Sequence, residues 1–270
     1  LLLANELLQK NSRLVWVTIT GFGERHPRLG YDLVVQAECG WMAITGEPEG
    51  SPMKVGVALA DVIAGKDAAA TALAALVARE RSRDALPAAE RRFVISLAHS
   101  ATAALVNVAQ NVLVSGSDAG RYGTAHPNLV PYQAFEASDA HIVIAVGNDE
   151  QWQRCCAALG LDTLGADATL ATNTGRLAQR DRVVAELTRR VATASAAELL
   201  ARLAAAKVPS GQVRTVRQAL GDVAGSGSTG IAPSIPGSIR YAPPMLDEHG
   251  ARIRELGWGA FGEVRRLDGS

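Results

Sequence analysis

Lys54-Val55-Gly56-Val57-Ala58-Leu59-Ala60-Asp61-Val62-Ile63-Ala64-Gly65 is the stretch that decides how this chain is read. One carboxylate, Asp61, sits inside an apolar run that passes into an Ala- and Leu-rich stretch over residues 68–79. A charge among Val, Ile, Leu and Ala is costly unless it is paired or stands where a helix begins at a cleft. At a helix start, free backbone N–H groups and the positive end of the helix dipole stabilise it. The same placement suits a nucleophile, which must be ionised, poorly hydrated and fixed in direction. Composition alone leaves a second reading open, in which Asp61 only caps the helix that follows.

Outward from this stretch the pattern is α/β. Residues 14–20 read as a strand ended by Gly21, residues 31–43 as a helix, and residues 61–83 as a long helix. A short strand at 92–97 and a helix over 99–114 follow, then a Gly- and Ser-rich loop at 115–123. Beyond it, residues 133–138 and 141–146 form a hairpin around Asp139-Ala140. Helices are expected at 149–159, 176–193 and 196–206, a sharp turn at 208–211, and a last helix at 247–255. Residues 225–230 (Gly-Ser-Gly-Ser-Thr-Gly) have linker composition. These shifts divide the chain into a large α/β unit over 1–118, a small α+β unit over 121–213, and a C-terminal segment over 214–270.

The 270 residues are 48% hydrophobic and 20% charged, which fits a folded protein rather than a disordered one. Lysine and arginine (27) balance aspartate and glutamate (27), so there is no basic excess to suggest nucleic-acid binding. No apolar run reaches membrane-spanning length. Cys39, Cys155 and Cys156 fit neither a disulfide framework nor a zinc spacing, so reduced intracellular thiols and no metal are expected.

Several blocks resemble, in the same order, the class III CoA-transferases. This family is also called CaiB/BaiF and includes formyl-CoA transferase and carnitine CoA-transferase. The blocks are the Asp61 stretch continued through residues 73–81, Ile19-Thr20-Gly21-Phe22-Gly23, Gly30-Tyr31-Asp32 through Ala37, Thr45-Gly46-Glu47-Pro48, His126-Pro127-Asn128 through Gln133, Val208-Pro209-Ser210-Gly211, and a tail over 246–257. The resemblance implies a Rossmann-like large domain, a small α+β domain and a C-terminal segment that returns to the large one. It also implies a cytoplasmic, interlocked homodimer acting on acyl-CoA and a free carboxylic acid. Coenzyme A then enters as a thioester substrate, with no permanently bound cofactor. Family members open with a further segment of roughly a hundred residues, about one small domain. Residues 1–8 look like the helix just before the first strand read here, so an exposed strand edge and weak CoA binding are expected.

By the same resemblance Asp61 is the nucleophile, with Tyr31 and Asp32 beside it as further catalytic residues. Read from the residues themselves, Gly30-Tyr31-Asp32 is equally a turn and a helix cap. The related α-methylacyl-CoA racemases carry His at the position of Tyr31. Tyrosine, with a reference pKa near 10, is a poor proton shuttle at neutral pH, which favours transfer over racemisation. Gly21, Phe22, Gly23 and Gln36 are expected at the CoA surface. Gly123 and His126 lie in a loop expected to close over the reacting intermediates. Gly123-Thr124-Ala125-His126-Pro127 resembles the branch containing succinyl-CoA:glutarate CoA-transferase, which points to a dicarboxylate acceptor. An acyl-CoA racemase on the same fold and an inactive truncated paralogue are the alternatives.

Overall fold

A computed structural model describes residues 2–82, 84–223, 245–257 and 259. The chain forms two compact units, Leu1–Gly211 and Gln212–Ser270. The first opens with α1 (Leu2–Lys10) and β1 (Trp16–Thr20), followed by α2 (Asp32–Glu38), α3 (Trp41–Ile44) and α4 (Leu59–Arg81). Strand β2 (Arg92–Ser96) runs directly into α5 (Leu97–Ala103), and α6 (Val106–Ser115) follows. β1 and β2 pair in parallel, Trp16 opposite Arg92 and Thr20 opposite Ser96, so the chain must cross over between them. α4 makes that crossover and packs on both strands and on α5. Its buried positions are small, Ala60, Ala64 and Ala75, which lets its backbone come close. With Val35, Trp41, Leu97 and Ala101, two of them form one core.

Three local expectations change here. The helix expected over 31–43 breaks at Gly40, whose φ of +85° lies in the left-handed region. The helix expected over 99–114 is two helices meeting at 69°, with Val106 at φ +42° where they join. The long helix begins at Leu59 rather than Asp61, so Asp61 lies in its first turn and not at its cap.

A buried arginine ties α1 to this core. Arg91 donates to the carbonyls of Leu8, Asn11, Leu14 and Leu86 at 2.8–2.9 Å. Two of these acceptors belong to the end of α1, where the helix dipole is negative and carbonyls lack partners.

The second core is built on β3 (Tyr132–Glu136) and β4 (His141–Ala145), antiparallel with Phe135 opposite Ile142. Around them pack α7 (Asp149–Leu159), α8 (Asp162–Gly165), α9 (Asn173–Ala178), α10 (Arg180–Val191) and α11 (Ala196–Ala205). The single helix expected at 176–193 is interrupted at Gln179. Residues 208–211, expected as a turn, feed β5 (Ser210–Gln212), which stands beside β4 as the third strand. Ile142, Ile144, Trp152, Leu159, Leu187 and Leu199 are buried at the centre. Helix starts are capped as the sequence chemistry requires. The Asn148 side chain accepts the Gln151 N–H, and Asp139 at the hairpin tip accepts the Ala196 N–H at 2.7 Å.

Cys155 and Cys156 lie on the buried face of α7, where burial pushes both thiols up to about 12. Reactivity belongs to the thiolate. Brief alkylation of the native protein at pH 8 is therefore expected to leave both unlabelled by mass spectrometry, and unfolding should expose them. Native labelling at either would show that this core opens readily.

The second unit contains α12 (Val216–Val223) and α13 (Gly250–Leu256). The expected linker at 225–230 lies outside the described residues. Among the described residues no single helix is long and apolar enough to cross a membrane; α5 and α6 reach that length only across their bend.

Candidate functional site

Ligands of parallel sheets bind beyond the carboxyl ends of the strands, where crossover helices start. At that end β1 finishes in Gly21-Phe22-Gly23. Gly21 O accepts from Ala98 N–H at 3.0 Å and from the Ser96 hydroxyl at 3.2 Å, joining the turn to the end of β2. Gly21 and Gly30 touch backbone to backbone. A Cβ on Gly21 would come within 2.5 Å of Gly30 Cα, so neither position admits a side chain. Phe22 leans on the first core, with the Arg28 guanidinium 4.7 Å from its ring centre.

Asp61 lies in the first turn of α4 with its side chain exposed. Among the described residues its carboxylate has no hydrogen-bond or ion-pair partner. The capping hydrogen bond of α4 comes from elsewhere. Ala58, at the cap position, has no acceptor side chain, and the Ala60 N–H is taken at 2.9 Å by Asp32 Oδ1. Tyr31 is the cap residue of α2 and is 73% exposed.

Gln36, expected at the CoA surface, is instead fully buried. Its amide is held from both ends: Nε2 donates to Asp32 Oδ2 at 2.6 Å, and Oε1 accepts the Val55 N–H at 2.8 Å. Val35 beside it on the same helix is buried as well.

Gly123 meets the turn that leads toward α4. Its N–H donates to Gly46 O at 3.0 Å, and the Glu47 carboxylate lies against its α-carbon. Arg121, which sequence reasoning missed, fixes this junction by donating to Glu47 O at 3.1 Å and Gly50 O at 2.7 Å. No sequence signal marks a guanidinium that serves distant carbonyls. His126 stands further along the loop, its ring tilted against Tyr132 with ring centres 5.2 Å apart and its Nδ1 accepting the Asn128 N–H. Arg180 donates to the carbonyls of His126 and Pro127.

A cavity of about 490 Å³ lies between α6 and the loop, lined by Ile44, Val108, Val112, Tyr122, Gly123 and Asn128 among others. Asp118 is the charged residue in its lining, and Asp61 is not part of it. Asp32 and Gln36 thus bond to the segment that enters α4 just before Asp61, Tyr31 stands next to Asp32 at the start of α2, and Gly123 and His126 lie separately on the loop. Among the described residues no group of His, Cys, Asp or Glu could hold a metal ion.

Comparison with known proteins gives this arrangement its family. The chain is 35% identical over 215 residues to succinate–glutarate CoA-transferase of Agrobacterium fabrum, covering 78% of this chain and 52% of that protein. It is 32% identical over 263 residues to the mouse succinyl-CoA:glutarate CoA-transferase, covering 89% of this chain and 59% of that protein. The chain therefore spans little more than half the length of these relatives. A CAIB/BAIF family protein from Brucella suis superposes with a TM-score of 0.69 at 34% identity, over 93% of this chain and 70% of that one. Rv3272 from Mycobacterium tuberculosis superposes with a TM-score of 0.73 at 25% identity, over 92% of this chain. The family model of CoA-transferase family III matches residues 2–227, most of the length, and the chain belongs to that family.

Proposed function

We propose that this protein moves CoA between an acyl-CoA thioester and a free carboxylic acid through a covalent intermediate on Asp61. The observation that carries the reading is Asp61 itself: exposed, unpartnered among the described residues, and in the first turn of α4. An Asp61 oxygen attacks the thioester carbonyl, the C–S bond breaks, and CoA leaves as thiolate. The thiolate then attacks the aspartyl carbonyl of the mixed anhydride, releasing the donor acid and leaving an aspartyl-CoA thioester. The acceptor carboxylate attacks that thioester, forming a second anhydride and freeing the thiolate. Attack of the thiolate on the acceptor's acyl carbon gives the new thioester and restores Asp61. Anhydride and thioester are both activated acyl groups, so one hard transfer becomes several easier ones.

In this reading Tyr31 donates its phenol to the developing oxyanion. The Gly21–Gly23 turn contacts CoA, and the loop carrying Gly123 and His126 borders the acid. Relatives named for succinate and glutarate support a dicarboxylate acceptor. The division into a large unit over 1–118, a small unit over 121–213 and a returning segment belongs to the same proposal, as do a cytoplasmic setting and an interlocked homodimer. Further family-fold chain, from this polypeptide or its partner, would cover Ile19, Val62 and Leu73, which are exposed beside a parallel strand pair.

Hydroxylamine present during turnover is expected to leave a hydroxamate on Asp61. Trypsin cuts after Lys54 and Lys66, and the peptide between them carries Asp61 as its one side-chain carboxylate. An active preparation with no adduct on that peptide overturns the covalent route. Deuterium washed from solvent into the α-carbon of an acyl-CoA would point instead to racemase chemistry.

A further inference from the structure

Asp32 and Gln36 stand one turn apart on α2, and both reach across to the segment that enters the nucleophile's helix. Asp32 Oδ1 takes the Ala60 N–H, the residue before Asp61, and Asp32 Oδ2 takes Gln36 Nε2. Gln36 Oε1 takes the Val55 N–H, and its Nε2 also reaches Val57 O at 3.4 Å. Residues 55–60 are thus tied at three points to one helix, besides one local bond of their own, Leu59 N–H to Val57 O at 2.8 Å. Gly56 is the most permissive residue in the chain's repertoire, and Ala58 has no capping side chain. Both oxygens of Asp32 already hold donors, and Gln36 has no accessible surface with which to meet a ligand.

We propose that Asp32 and Gln36 are a positioning pair: they fix the backbone leading into α4 and so the direction of the Asp61 carboxylate. Neither exchanges a proton in the reaction, and neither touches CoA. The proposal rests on the reading of Asp61 as nucleophile. A carboxylate attacking a thioester carbonyl must approach along one line, and a displacement of about 1 Å can cost on the order of 100-fold.

The test compares an Asp32→Asn/Gln36→Glu double variant, Asp32→Ala and Gln36→Leu in the full-length protein as the cell makes it. Asparagine keeps an oxygen for the Ala60 N–H, but its NH2 opposes the Gln36 Nε2 donor, so Asp32→Asn is made together with Gln36→Glu, whose carboxylate accepts from that NH2 and from the Val55 N–H. The Asp32→Asn/Gln36→Glu double variant, which keeps these bonds, is expected to lose no more than about tenfold in kcat. Asp32→Ala and Gln36→Leu should each lose about 100-fold in kcat. Their KM for the acyl-CoA should stay within about threefold, and hydroxylamine capture at Asp61 should slow in step with kcat.

The double variant as inactive as Asp32→Ala, in folded protein, overturns the proposal, because a carboxylate at position 32 itself is then needed. So does Gln36→Leu raising KM with kcat intact, which would place the amide on the ligand. Loss of activity that only follows the unfolded fraction in a thermal melt overturns it too, since the pair would then serve folding alone. Failure of the nucleophile reading shows itself earlier, as an active wild type without an Asp61 adduct, and it removes the positioning role as well.

Discussion

Asp61→Ala is expected to abolish CoA transfer, with kcat/KM down by about 10⁴-fold or more, as befits the loss of a covalent nucleophile. Asp61→Asn should do the same, because the amide keeps the shape and loses the nucleophilic oxygen. The structure separates this effect from folding. The side chain is exposed and makes no hydrogen bond among the described residues, so its removal forfeits only the charge–dipole term, about 0.3–1 kcal/mol. Circular dichroism and the melting midpoint should therefore stay close to wild type while turnover disappears. The assay follows the new thioester by chromatography with a C4 or C5 dicarboxylate as acceptor. Transfer persisting within about tenfold of wild type, in either variant, removes Asp61 from the nucleophile's role.

The place of Asp61 in a helix's first turn was legible because it is a local anomaly, one carboxylate in an apolar run, and its helix follows at once in the sequence. The hairpin was legible too: Ala134 and Phe135 before Asp139-Ala140 and the run Ile142-Val143-Ile144 after it specify pairing between neighbours, and β3 and β4 appear within a residue or two of expectation. What escaped depends on contacts distant in sequence. The Asp32 carboxylate caps a helix 28 residues away, which no propensity encodes. Gln36 reads as polar and free, but burial and its tie to Val55 decide its part. Ser210–Gln212 looks like a turn from its Pro, Ser and Gly, and becomes a strand because β4 offers an open edge. Arg121 and Arg91 carry no motif, since their acceptors are main-chain carbonyls gathered by the fold.

Arg176 is the buried arginine with the most at stake, and Arg176→Met is expected to destabilise the second core by about 3 kcal/mol. The side chain is 1% exposed and lies over Trp152, its guanidinium carbon 5.3 Å from the ring centre. Nε donates to Val130 O at 2.8 Å, and Nη1 donates to Leu170 O and Ala171 O at 3.0 and 3.1 Å. Nη2 pairs with the half-exposed Asp149 at 2.8 Å. Methionine fills most of the volume, so the loss is chiefly that of three carbonyls left without donors, each costing about 1 kcal/mol or more when buried. Those carbonyls bind the loop before β3 to the turn before α9, so the damage should spread through this core rather than stay local. Arg176→Lys should cost less, because an ammonium can keep Asp149 and one carbonyl but cannot fork to the others. A melting midpoint lowered by about 5 °C or more for Met, and by less for Lys, is the expected result. A Met variant that melts within about 1 °C of wild type would show that water or a shifted loop satisfies these carbonyls, and that this arginine is not what holds the second core together.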